Sequence, residues 1–173
     1  MKEPTIGEYL HRVPIFQTLS ENEIEELASS CEIQSFDTGE MLIREGDSDS
    51  SLFVISSGVV SIVKKDSKGQ HIELSRLGNS ECFGEMSLLT GEPRSATAKA
   101  ITYVEAIKVP KEALGMLFNM KPELSKELAD IMATRRAQTE GLIDSKDMRS
   151  DSRSIKAYAK EVLSKIRSFF SLD

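Results

Sequence analysis

At 173 residues, 39% of them hydrophobic and none a Trp, the chain is long enough for one domain with its own core plus an appendage. The formal net charge of −6 is unevenly divided: residues 1–144 carry 15 Lys and Arg against 24 Asp and Glu, whereas residues 145–173 carry 7 against 4, and so acidic a body excludes nucleic acid as a partner. Two cysteines and two histidines with no metal-ligand spacing, no apolar run of membrane-spanning length, and no secretory core in MKEPTIGEYL argue against a metal site and for a cytoplasmic setting.

Residues 5–31 read as helical, with Ile6, Tyr9, Leu10 and Val13 on one face and a break at Pro14. A second helix starts at Ser20, which forms a capping box with Glu23 and buries Ile24, Leu27, Ala28 and Cys31. From Ile33 the period changes. Gly39, Gly46, Gly58, Gly69 and Gly78 punctuate short runs rich in Val, Ile and Phe, the spacing of an antiparallel roll. LFVISSGVVSIV at Leu52–Val63 reads as a strand pair, and Asp66-Ser67-Lys68-Gly69 joins SIVKK to HIELSRL as a hairpin. Cys31 and Cys82 read as buried free thiols.

The stretch FGEMSLLTGEPRSAT, Phe83 to Thr97, interrupts this roll. Gly84 lets a ligand approach the main chain, and Met86 to Thr90 reads as one or two helical turns whose free N–H groups face an anion. Gly91 stops the helix and Pro93 stiffens the return. Arg94 then offers a planar fork of donors for two phosphate oxygens, within reach of the Ser95 hydroxyl and the Ala96 amide. A carboxylate at Glu85 would repel that anion unless it accepts hydrogen bonds from a donor such as a ribose 2′-hydroxyl. Ala96 and Ala98 leave room for a ligand against the next strand. Taken singly, Glu85 is a first-turn carboxylate favoured by the helix dipole and Arg94 a surface partner of Glu92 or Glu85; it is the whole run in register that points to a site.

This run resembles the phosphate-binding cassette of the cyclic nucleotide-binding domain family, and the resemblance extends over roughly 14–140. It implies an α+β fold: an antiparallel, jelly-roll-like β-roll flanked by N-terminal and C-terminal helices. It further implies that the Gly84 and Glu85 amides and the Arg94 side chain hold a cyclic phosphate, that Ser95 and Ala96 complete the phosphate shell, and that the Glu85 carboxylate takes the ribose hydroxyl. Phe83 and Met86 flank that pair and belong to the same candidate ligand-binding set. The implied ligand is cAMP or cGMP, without a metal. Ser95 suits a phosphate contact and inclines the reading to cAMP.

Strands at Ala96–Ala100 and Val104–Val109 follow. After Pro110 come a helix carrying Leu114, Leu117 and Phe118 and another from near Pro122 carrying Leu124, Leu128, Ile131 and Met132. In the family this last helix acts as a lid. Arg135 stands where similar prokaryotic cyclic-nucleotide-gated channels carry an arginine that stacks on the purine. The polar run SKDMRSDSRS, 145–154, has the bias of a linker, and Ile155, Tyr158, Ala159, Val162, Ile166, Phe169 and Phe170 then recur at helical spacing. That amphipathic helix is expected to dock on its own domain or a dimer mate, with a partner or a membrane surface as the alternative. The organisation expected is an N-terminal helical segment (1–32), a β-roll (33–110) holding the cassette (83–97), lid helices (111–144), and a linker with amphipathic helix (145–173).

No Gly-rich nucleotide motif followed by Lys-Ser, no Gly-x-Ser-x-Gly elbow and no paired carboxylates occur, so a ligand-binding regulator is expected rather than an enzyme. One weakly basic helix is too little for a helix-turn-helix activator, and a second cassette, as in tandem kinase regulatory subunits, is absent from the sequence. The expected effector is a channel or another output, which would put the domain at the cytosolic face of a membrane protein. The competing reading is an interaction module whose nucleotide pocket is vestigial.

Overall fold

The structure, a computed structural model, describes residues 3–139 and 148–172. It forms two compact units, Met1–Leu114 and Gly115–Asp173.

The first unit opens with two short helices, α1 (Ile6–His11) and α2 (Glu21–Ser29), separated by a 3-10 turn at Pro14–Phe16. The break comes at the proline, whose ring excludes it from a helix interior. Ser20 and Glu23 form the expected capping box, with the Ser20 amide donating to Glu23 Oε2 at 2.7 Å. Thr5 and Glu8 cap α1 in the same way, a second box that the apolar face had overshadowed. Burial pushes the Cys31 thiol up to about 12, so it stays protonated where its sulfur meets the Leu27 carbonyl. Cys82 is buried and forms no disulfide.

Eight strands follow among the described residues: β1 (Glu32–Phe36), β2 (Met41–Ile43), β3 (Leu52–Ser57), β4 (Val60–Lys65), β5 (His71–Leu77), β6 (Cys82–Phe83), β7 (Thr97–Ala100) and β8 (Val104–Val109). They build two antiparallel sheets, ordered β1-β8-β3-β6 and β2-β7-β4-β5. Phe53, Ile55, Val60, Phe83, Ala98, Ala100, Val104 and Ala106 form the core between them, and the expected roll is the fold observed. The Asp66–Gly69 hairpin joins β4 to β5, Asp66 Oδ1 accepting from the Lys68 and Gln70 amides at 2.8 Å each.

Two sequence-adjacent pairs part company. β3 and β4 do not bond each other: β3 pairs with β6 and β8, and β4 with β5 and β7. β7 and β8 are split between the sheets in the same way. Both corners meet at Gly58, whose φ of 97° turns the chain from one sheet to the other. Any Cβ there would collide with the Tyr103 carbonyl oxygen, while Val59 exchanges hydrogen bonds with Thr102 Oγ1 (3.0 Å) and the Ile101 amide (2.8 Å). Hydrophobic alternation cannot distinguish a hairpin from such a corner.

Helix α3 (Glu85–Thr90) lies in the cassette, and α4 (Lys111–Met120) leaves β8. In the second unit α5 (Glu123–Thr139) packs along α6 (Met148–Phe170). The apolar stripe of α6 is consumed within its own chain: Ala159, Val162 and Ile166 are buried, and Phe170 meets Phe118 edge-on at 5.2 Å, where Gly115 leaves space for it. Helix α6 begins at Met148, inside the stretch read as linker; Asp and Ser are favoured at helix starts as well as in loops, so composition does not separate the two. Residues 145–147 lie outside the described residues.

Replacing Gly58 by Ala should cost about 2 kcal/mol or more in denaturant unfolding, through the left-handed backbone and the clash with Tyr103. Ser20→Ala should cost about 1 kcal/mol by removing a cap. A neutral Gly58→Ala would refute the corner.

Candidate functional site

The cassette is bracketed by two glycines in the left-handed region. Gly84, with φ 83°, turns the chain out of β6 into α3, and Gly91, with φ 72°, ends the helix and donates to the Ser87 carbonyl at 2.9 Å. Ser87 is itself buried and donates through its hydroxyl to the Asp49 carbonyl at 3.3 Å, tying α3 to the turn before β3. Glu85 is the first residue of α3 and only 9% exposed, an uncommon burial for a carboxylate.

Arg94 is the most informative side chain. It is 3% exposed, not a surface residue. Its main chain is locked to the turn after β2, the Arg94 amide donating to Asp47 and the Gly46 amide donating to Arg94, each at 2.8 Å. Its guanidinium points inward. Nη1 donates to the Gly84 carbonyl at 2.7 Å, and Nη2 donates to Asp49 Oδ2 at 2.7 Å and to the Ser51 carbonyl at 2.8 Å. The third nitrogen is different: Nε is buried and meets no acceptor. An orphaned charged donor is costly in a protein interior, so the arrangement is short of acceptors, and an anion at the cassette fits that deficit.

Gly84 makes the approach feasible. A Cβ at this position would stand 2.6 Å from Arg94 Nη1 and 2.9 Å from the Ser51 carbonyl, so any side chain would evict the guanidinium from its seat. The cassette glycine thus serves the arginine as well as a ligand.

The other sequence candidates divide. Phe83 turns its ring into the roll's core, stacked on Phe53 at 5.4 Å, which leaves its main chain to border the loop. Met86 is half-buried on α3, Ser95 is exposed and Ala96 half-buried in the return to β7. Ala98 is fully buried, facing the interior with Ala100. Arg135 is half-buried on α5 and belongs to the second compact unit, whereas all the others lie in the first.

Asp49 and Ser51 were not among the residues singled out from sequence. Their signal lay in the physics of Arg94, because a buried guanidinium needs an acidic partner. Burial raises the Asp49 carboxyl, but the hydrogen bond and charge of Arg94, with help from Lys108 and the Ser51 hydroxyl, outweigh it and hold the group below the usual carboxylate range. A lowered folded-state value stabilises the protein above the unfolded carboxyl's pKa of about 3.9, and that contribution disappears as pH falls through the folded value. Between about pH 5 and pH 2 the melting temperature of the wild type should therefore fall more steeply than that of Asp49→Asn. Parallel curves would show that the pair carries no linkage.

The family model described as the cyclic nucleotide-binding domain matches residues 33–121, just over half of the chain. A CRP-like cAMP-activated global transcriptional regulator of Mycobacterium tuberculosis is 32% identical over 134 residues, covering 78% of this chain and 60% of the regulator. A cAMP-dependent protein kinase type II regulatory subunit of Drosophila melanogaster is 37% identical over 99 residues, 57% of this chain and 26% of the subunit. The chain thus spans less than two thirds of the length of these curated relatives. Among solved structures, the N-terminal domain of a transcriptional regulator from Streptomyces coelicolor A3(2) superposes with a TM-score of 0.62 at 30% identity, covering 79% of this chain and 98% of that domain. The roll, the glycine-bracketed cassette and the family match fall on the same residues, and the chain belongs to the cyclic nucleotide-binding domain family.

Proposed function

We propose that this domain binds a cyclic nucleotide, cAMP in preference to cGMP, and converts occupancy into a rearrangement of its flanking helices. The observation that carries the reading is the buried Arg94 guanidinium with Nε unmatched beside the Gly84 turn. A cyclic phosphate monoanion supplies the missing acceptor, the Gly84 and Glu85 amides and the Ser95–Ala96 segment complete its shell, and the Glu85 carboxylate accepts the ribose hydroxyl. Arg135 stacks on the base. The names of the Mycobacterium tuberculosis and Drosophila melanogaster relatives both refer to cAMP, which supports that choice of purine.

The domain acts as a regulator and not as an enzyme: the ligand leaves unchanged, and its binding energy shifts a conformational equilibrium. Because the Arg94 main chain is bonded to Gly46 and Asp47 and its side chain to Asp49 and Ser51, a pull on the guanidinium is felt in the turn leading directly into β3. The relatives are a transcriptional regulator and a kinase regulatory subunit, each longer than the region matched, which supports an output carried by a separate module; a channel pore is one such output, which would seat the domain on the cytosolic side of a membrane.

Calorimetry with cAMP and cGMP tests this directly. The wild type should bind cAMP more tightly than cGMP, Arg94→Ala should weaken binding by about two orders of magnitude or more, and Arg135→Ala by about tenfold. Thermal melting should rise with cAMP in the wild type and not in Arg94→Ala. A wild type that neither takes up nor is stabilised by either nucleotide would leave the vestigial-pocket reading in its place.

A further inference from the structure

Helix α6 has a second face that the ligand-binding reading does not use. Arg153, Lys156, Lys160 and Arg167 follow one another at spacings of three, four and seven residues, which sets them in one row along the helix. All four are exposed, and the row runs for about 21 Å at 1.5 Å per residue. No carboxylate interrupts it. The acid of this segment, Glu161, lies off the row and pairs with Lys165 at 3.5 Å. The apolar face of the same helix is already taken up, with Ala159, Val162 and Ile166 buried, so the charges are not incidental flanks of a docking stripe still awaiting its partner. Beside the row at its C-terminal end stand Leu163 and Phe170, half-buried, and the half-buried Leu172 follows.

We propose that this basic row of α6 docks the protein on an anionic phospholipid surface. A line of long cationic side chains with partly exposed apolar residues at one end suits headgroups over a shallow apolar layer. Each Lys or Arg brought within a Debye length of an anionic leaflet adds to the attraction, and four in a row act together. Nucleic acid fits less well. The aromatic residues Tyr158 and Phe169 lie on the opposite side of the helix and the Phe170 ring is engaged with Phe118 and Phe169, so the row carries no series of stacking platforms for bases, and the acidic body of the chain repels an extended polyanion.

Vesicle co-sedimentation of the full chain tests the proposal, with phosphatidylcholine vesicles compared against phosphatidylcholine containing phosphatidylglycerol, at about 0.1 M salt, where the screening length is near 10 Å. The protein should sediment with the anionic vesicles and not with the neutral ones, and at about 1 M salt it should be released. Lys156→Glu/Lys160→Glu should lower partitioning at least tenfold, whereas the equal charge change Lys64→Glu/Lys68→Glu, on the β4–β5 hairpin, should leave it within about twofold. Lys156→Gln/Lys160→Gln, a gentler change, gives a second reading if the reversal disturbs folding, which melting curves report. Absence from anionic vesicles, equal binding to neutral vesicles, or equal loss in both charge-reversed variants overturns the proposal. So does salt-sensitive binding of a DNA or RNA oligonucleotide in preference to the anionic vesicles, because the row would then serve nucleic acid.

Discussion

The first unit is organised around a positive charge that it buries. A buried guanidinium needs acceptors for its hydrogens, and the protein supplies its two Nη groups with two carbonyls and one carboxylate drawn from segments far apart in sequence, leaving Nε unmet. Gly84 has to lack a side chain, Ser51 has to present its carbonyl, and Asp49 has to reach inward from the turn before β3. The cassette is therefore held in place by its arginine before any ligand is considered.

The two-sheet topology makes this convergence feasible. Asp49 and Ser51 precede β3 in one sheet, and Arg94 precedes β7 in the other. The main-chain bonds of Arg94 with Gly46 and Asp47 extend the β2–β7 pairing past its end, so the arginine arrives in register with the turn that carries its partner. The split of β3 from β4 and of β7 from β8 at the Gly58 corner is what lets consecutive strands serve different sheets. A simple meander would have kept each of those strands beside its neighbour in sequence and left the two turns in different places.

Much of this was legible in the chain itself. The Ser20–Glu23 box, the Asp66–Gly69 hairpin, the helices after Pro110 and the strands around them all follow from local rules, since turn and cap chemistry act over a few residues. The cassette was legible for another reason: its glycines, helical turn and arginine form an ordered run with a recognisable family likeness. What escaped was non-local. Strand partners across the Gly58 corner depend on backbone geometry at one residue, and the role of Asp49 depends on a residue 45 positions away. Gly-Asp-Ser-Asp-Ser-Ser looks like any polar turn until the arginine it faces is known. Phe83 shows the reverse error of emphasis, an aromatic beside a cassette whose ring packs in the core.

The pairing of α6 with α5 bears on where such a module can be cut. The family match ends at residue 121, before either helix begins, and a fragment designed on that boundary would discard both. A fragment stopped after α5 would strip away a neighbour whose Val162 and Ile166 are sealed from solvent, leaving the shorter helix with an uncovered oily flank. Such a product would tend to clump in the tube for reasons unrelated to nucleotide recognition, so recombinant versions are best extended through Leu172.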